Sequence, residues 1–198
     1  MMVVALRPTG RQLSERQVES MGALLSAAET EVEEVGYDRL SVRSVAKRAG
    51  VAPATAYTYV SSKDHLLAEI LWARVLGAPV PDVDLAVDVT ERIAGAVDAL
   101  SALSVGSPAL IAACTQALLS SNVDVAKLRE AIGAEVYRRL RLAAAGECDD
   151  EAVAVIATTY FGSLLSAGMG HMAYDEVAGF AARATRLLVA GARAGGVS

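Results

Sequence analysis

Apolar residues recur at spacings of three and four along most of this chain, and that spacing predicts helices. Between residues 14 and 36, Val18, Met21, Leu24, Leu25, Ala28, Val32 and Val35 form one stripe. Ser14 and Gln17 have the spacing of a capping box that opens this helix, and Gly36 suits its end. The outer face carries Glu29, Glu31, Glu33 and Glu34, which reads as a solvated face turned away from any polyanion. Two short helices follow. Ser41 caps the first, whose small apolar face is Val42, Val45, Ala46 and Ala49. Gly50 supplies a sharp turn, and Pro53 suits the first position of the second, Pro53 to Val60. Ser61 and Asp64 fit a further capping box, opening a helix with the stripe Leu66, Leu67, Ile70, Leu71 and Val75. Gly77-Ala78-Pro79-Val80-Pro81 ends it and marks a domain boundary.

The remainder reads as helices over about 84–104, 108–120, 123–145, 149–173 and 175–194. No sustained alternation of the kind a strand needs is present. Residues 149–173 are apolar on nearly every side, the pattern of a helix buried all round. In it Gly162, Ser166 and Gly170 recur every four residues and admit a second backbone closely. The last helix has the stripe Val177, Phe180, Ala181, Ala184, Leu187, Leu188 and Gly191, with Arg183, Arg186 and Arg193 outward. These two helices either pair with their symmetry mates as a four-helix interface or close an intramolecular bundle. For the first case the candidate dimer residues are Gly162, Ser166, Gly170, Phe180, Ala184 and Leu188.

Composition sharpens this picture. The 198 residues are 54% hydrophobic, with mean hydropathy +0.38, which calls for membrane spans or a large buried interface. Residues 99–123 and 152–173 carry no charge, and a span needs about 20 apolar residues. The first is broken by Val105-Gly106-Ser107-Pro108, the second holds Thr158, Thr159, Tyr160, Ser163, Ser166 and His171, and neither has a basic flank. Buried helices are the expectation for both. The apolar run near Arg7 is too short for a signal peptide. Cys114 and Cys148 are too few for a disulfide framework, so the chain reads as cytoplasmic. The net charge is −5, yet residues 39–63 hold Arg39, Arg43, Lys47, Arg48 and Lys63 with no Asp or Glu. That local reversal of sign is the footprint of a polyanion partner. The acidic excess lies after residue 76.

Helix, glycine turn and a second helix with polar and aromatic tips form the helix-turn-helix plan, whose second helix enters the DNA major groove. Gly36-Tyr37-Asp38 and the run SVRSVAKRAGVAPATAYTYVSSKDHLL, Ser41 to Leu67, closely resemble the N-terminal domain of TetR-type transcriptional regulators. The resemblance covers about the first third of the chain, at many positions of fixed spacing. Three positions depart from it. Ala52 stands where a Ser or Thr cap is common, Pro53 replaces a frequently polar residue, and Val60 replaces the usual Phe.

The resemblance implies an all-α fold. It comprises an N-terminal three-helix helix-turn-helix DNA-binding domain (14–76, motif about 41–60), then a helical ligand-binding and dimerisation domain (82–198). Residues 1–13, with Arg7 and Arg11, read as a flexible basic arm, either a loose terminus or a contact to phosphate or minor groove. The DNA-binding candidates are Arg43, Pro53, Ala54, Thr55, Tyr57, Thr58, Tyr59 and Lys63. Arg43 is a phosphate or groove-edge contact. By resemblance, Thr55 and Tyr57 lie where DNA is commonly touched, and Tyr59 where a phosphate is often bonded. Thr55, Tyr57 and Tyr59 are spaced by two and cannot share one helical face, so at least one packs inward. Lys63 sits at a helix N-terminus suited to a phosphate. Lys47 and Arg48 read as a solvated face.

No catalytic constellation is present, so an enzyme is not expected, and no cofactor or metal is implied. His65 and His171 are far apart, and the two cysteines make no zinc-spaced cluster. Cys114 reads as a buried filler, and His171 as a satisfied core or interface residue. Residues 84–173 are mostly uncharged, and with Trp72 just before them they carry sparse polar and aromatic groups. They would line either a small-molecule site or a plain core. By resemblance the pocket candidates are Trp72, Cys114, Gln116, Tyr137, Tyr160 and Phe161, for an apolar or amphipathic effector. The expected partners are a near-palindromic double-stranded operator, a second copy of the chain and that effector, with no membrane. The expected activity is sequence-specific regulation, commonly repression. The alternative is a small-molecule-binding or sequestering protein whose DNA head binds only non-specifically.

Overall fold

A computed structural model of the protein describes residues 14–80, 83–102 and 107–195. Among them every regular element is a helix: α1 (Glu15–Arg39), α2 (Val42–Arg48), α3 (Pro53–Tyr59), α4 (Lys63–Gly77), α5 (Val89–Ser101), α6 (Pro108–Ala117), α7 (Val123–Ala144), α8 (Asp150–Gly168) and α9 (Glu176–Gly195). The basic arm expected at 1–13 lies outside the described residues, as do residues 103–106. The chain divides into two compact units. The first holds residues up to Gly77 together with Ser107–Ile132, and the second holds Ala78–Gly106 with Gly133–Ser198. Helices α6 and the start of α7 therefore pack with the N-terminal helices, and α7 runs on into the second unit.

In the first unit Met21, Leu24 and Ala28 of α1 are fully buried with Val45, Ala46, Ala56, Leu66 and Leu67. Leu110, Ala113, Cys114 and Ala117 of α6 close the same core. Emptying one such leucine site costs about 2–5 kcal/mol. The caps follow the sequence in part. Gln17 Oε1 accepts the Ser14 N–H at 2.9 Å, and Ser41 Oγ accepts the Ser44 N–H at 3.0 Å. The box expected from Ser61 and Asp64 does not form. Helix α4 starts one residue later than that box requires, at Lys63, and Ser62 Oγ accepts the His65 N–H at 3.0 Å. Asp64 is drawn away by Tyr37, whose hydroxyl donates to Asp64 Oδ1 at 2.7 Å. Ser61 instead donates to Asp124 Oδ2 at 2.9 Å, across to the start of α7.

The glutamate face of α1 is solvated only in part: Glu33 and Glu34 are exposed, Glu29 is half-buried and Glu31 is buried. Glu29 holds Arg74 of α4 at 2.9 Å. Glu31, itself buried, and Glu34 both hold Arg48 of α2. Glu33 accepts from Ser107 Oγ at 2.9 Å. These acidic residues seat ion pairs from α2 and α4 and a hydrogen bond from Ser107.

The second unit packs α5, α7, α8 and α9 around Val89, Ile93, Val97, Leu140, Ile156, Tyr160, Val177 and Ala181. Two arginines lie inside it. Arg139 is 2% exposed. It donates to the Ala78 and Pro79 carbonyls at 3.0 and 3.2 Å and to Glu135 at 2.8 Å. Arg92 donates to the Ala143 and Ala144 carbonyls at the end of α7, at 2.9 and 3.5 Å, and to the Val87 carbonyl, and pairs with Glu147. Each guanidinium donates to backbone carbonyls at or beside helix ends.

Replacing Arg92 by Ala strips the Ala143 carbonyl of its donor inside the core. Folding stability is expected to fall by about 1.5–3 kcal/mol, the range for hydrogen bonds to charged groups. A lower urea midpoint with unchanged slope, at fixed protein concentration, is the measurement.

Candidate nucleic-acid interface

The turn between α2 and α3 is built by Gly50. Its φ of 67° places it in the left-handed region, which costs a side chain-bearing residue energy and glycine nothing. The Gly50 N–H then reaches the Lys47 carbonyl at 3.3 Å, and the Val51 N–H reaches the Ala46 carbonyl at 2.9 Å. This paired closure of a helix end uses two carbonyls that α2 would otherwise leave open. Ala52 caps α3 without a side-chain bond, and Pro53 begins it.

Only Ala56 and Tyr59 of α3 turn inward. Spaced by three, they share the face that meets the core. Tyr59 is 8% exposed and packs with Val60 and Ala56, and it also lines an open hollow with Ser14, Arg16, Gln17 and Thr55. Pro53, Ala54, Thr55, Tyr57 and Thr58 are exposed, Tyr57 at 55%. Beside them Ser41, Arg43, Ser44 and Lys47 of α2 line an open hollow of about 460 Å³ with Pro53. Among the described residues Arg43 and Lys47 have no ion-pair partner, whereas Arg48 is held by Glu31 and Glu34. Of the cations on α2, Arg43 and Lys47 thus keep their charge available to a polyanion.

Lys63 is half-buried and engaged. Its ammonium donates to the Tyr37 carbonyl at 2.9 Å and lies 3.9 Å from the centre of the Tyr37 ring, an attraction between cation and aromatic face. One donor faces Tyr37, and an ammonium has three. Tyr37 and Asp64 had no local signature, because their bond spans 27 positions. Burial and the Asp64 carboxylate push the Tyr37 phenol up to about 12.

Residues 24–70 match the profile described as "Bacterial regulatory proteins, tetR family". An uncharacterised HTH-type transcriptional regulator of Mycobacterium tuberculosis is 39% identical over 180 residues, 89% of this chain and 84% of the relative. The chain belongs to the TetR family of transcriptional regulators. Its backbone resembles the crystal structure of a TetR regulator from Rhodococcus sp. RHA1, with TM-score 0.70 and 24% identity over 88% of this chain and 97% of that one. It also resembles Bacillus subtilis FadR in complex with stearoyl-CoA, with TM-score 0.61 and 21% identity over 86% and 98% of the two chains.

In this TetR regulator the residues singled out for a pocket fall in different surroundings. In the first unit Cys114 is sealed in the core, where its thiol donates to the Leu67 carbonyl at 3.4 Å and burial pushes its pKa up to about 12. Trp72 packs on Ala68, Val125 and Leu128, and Gln116 is exposed. In the second unit Tyr160 and Phe161 pack in the core with ring centres 5.8 Å apart. Tyr137 beside that core donates to the Asp150 carbonyl at 3.2 Å. Burial raises the pKa of the Tyr160 phenol. Among the described residues no three His, Cys, Asp or Glu side chains are grouped to hold a metal ion.

Helix α8 is long and apolar enough to cross a membrane by length and composition, but a third of it is buried. It is therefore not buried all round within one chain: Val155 and Leu165 are exposed. The stripe of α9 splits in the same way. Val177, Ala181, Thr185 and Val189, each four residues apart, turn inward, while Phe180 and Leu187 are 43% and 75% exposed. Of the dimer candidates, Gly162, Gly170 and Phe180 are exposed, and Ser166, Ala184 and Leu188 are half-buried.

Removing the Tyr37 hydroxyl tests its bond to Asp64. Tyr37→Phe is expected to lower stability by about 1 kcal/mol at neutral pH. The phenol's pKa is raised on folding, so its contribution is complete below about pH 10 and lost as pH rises towards about 12. The stability gap between the two proteins should therefore close over that range in alkaline unfolding curves.

Proposed function

We propose that this chain is a homodimeric, sequence-specific repressor, released from a near-palindromic operator by a small apolar or amphipathic effector. The observation that carries the reading is α3, which presents Pro53, Ala54, Thr55, Tyr57 and Thr58 to solvent beside the unpaired Arg43 and Lys47. Thr55, Tyr57 and Thr58 reach base edges, Arg43 holds a phosphate, and Lys63 adds charge at the α4 N-terminus. Two such helices in a dimer enter successive major grooves about 34–36 Å apart. The exposed apolar groups of α8 and α9, Val155, Leu165, Phe180 and Leu187, support pairing of those helices with a second copy. Apolar side chains that one chain leaves in water gain about 25 cal/mol per Å² when a partner covers them.

Support for an amphipathic effector comes from the apolar groups of the 82–198 helices and from Bacillus subtilis FadR, which has this fold and whose structure holds stearoyl-CoA. The effector acts by its differential affinity for two arrangements of the DNA heads. Helix α4 is the natural lever. Its start is bonded to α1 through Tyr37, and Ser61 just before it is bonded to Asp124 of α7. A tilt of α4 therefore carries α2 and α3 with it.

Binding of the protein to the DNA flanking its own gene, against an unrelated duplex of equal length at two salt concentrations, decides the matter. Tight binding to its own DNA that survives moderate salt is expected. Equal binding to both, vanishing with salt, would leave the sequestering protein with a non-specific DNA head. Tyr57→Ala should weaken specific binding by about 1–3 kcal/mol, whereas Arg43→Ala should lower affinity for all duplexes and reduce the salt slope by about one.

A further inference from the structure

The chemistry of α3 says which bases it reads. Its sequence, Pro53-Ala54-Thr55-Ala56-Tyr57-Thr58-Tyr59, contains no Arg, Lys, Asn, Gln, Asp or Glu. Those are the side chains that make paired hydrogen bonds to guanine, adenine or cytosine edges. Apart from the single hydroxyls of Thr55 and Tyr57, what α3 exposes is carbon. Pro53 and Ala54 offer ring and methyl groups, and Tyr57 offers an aromatic face 55% exposed. Thr58 is exposed too, but its hydroxyl donates back to the Thr55 carbonyl of its own helix at 2.7 Å. Its proton is spent there, and its methyl remains the group with no hydrogen-bonding role. In the major groove the base feature with an apolar surface to match is the C5-methyl of thymine.

We infer, on the DNA-binding reading above, that this recognition helix specifies its operator through thymine methyl groups, with Thr58, Tyr57 and Ala54 as the contacts. Arg43 and Lys47 hold the backbone and supply affinity without sequence choice. The preferred half-site carries thymines under α3, and its specificity is hydrophobic.

The test selects preferred duplexes from a random pool with the full-length protein. Each thymine of the selected half-site is then replaced by deoxyuridine, which lacks only the methyl. Losses of about three- to fivefold are expected at each contacted position, the worth of one buried methyl. Thr58→Ser, which keeps the hydroxyl, should show the loss, and Thr58→Val, which keeps the methyl, should not. Both residues are exposed replacements, and circular dichroism confirms the fold. Combining Thr58→Ser with deoxyuridine at its position should cost no more than either change alone. A selected duplex whose base identity matters but which tolerates deoxyuridine everywhere overturns the inference and leaves the operator reading standing. A protein that selects no duplex overturns both.

Discussion

The clasp of Tyr37 with Lys63 and Asp64 governs the geometry of the DNA-binding unit. The Tyr37 hydroxyl donates to Asp64, its carbonyl accepts from Lys63, and its ring lies under the same ammonium. Three contacts converge on one residue just after the Gly36 kink of α1. They join the end of α1 to the first turn of α4, so the segment between, which is α2, its turn and α3, is a closed loop. Its helices are too short to hold an orientation alone, since isolated helices of that length are marginal in water. Burial of Val45, Ala46, Ala56 and Tyr59 against α1 and α4 seats them, and the clasp fixes where the two outer helices meet.

Charge is partitioned by pairing. The chain carries a net −5, yet Glu29, Glu31 and Glu34 of α1 are paired with Arg74 and Arg48, and Glu33 accepts from Ser107. That pairing offsets part of their repulsion towards a phosphate backbone and also ties up Arg48 and Arg74. Exposed pairs such as Arg48 with Glu34 stabilise little. Their larger effect is to leave Arg43 and Lys47 as the cations of α2 that face solvent unpaired. The unpaired positive charge of α2 is thus small and localised.

The second unit solves a different problem. Its core is apolar, but helix ends leave carbonyls without donors. Arg92 and Arg139 reach in from α5 and α7 and donate to carbonyls at or beside such ends. An always-charged guanidinium with five donors suits several acceptors at once. The other side of the unit leaves Phe180 and Leu187 in solvent, apolar surface that the folded single chain does not cover.

By itself the sequence determined the helical class, the approximate helix positions, the Gly50 turn and the cap at Ser41, because each depends on residues within a few positions of one another. It likewise determined the family, through a run of matched positions from Gly36 to Leu67. Tertiary structure decided everything that joins distant residues. Whether Tyr57 or Tyr59 faces out depends on which side of α3 meets α1. Ser62 displaced Ser61 as the cap because Asp64 is held by a tyrosine 27 positions away. The glutamates of α1 read as a solvated face because their arginine partners lie on other helices. Buried Arg92 and Arg139 carry no local mark, since periodicity records which residues are apolar and not which carbonyls lack a donor.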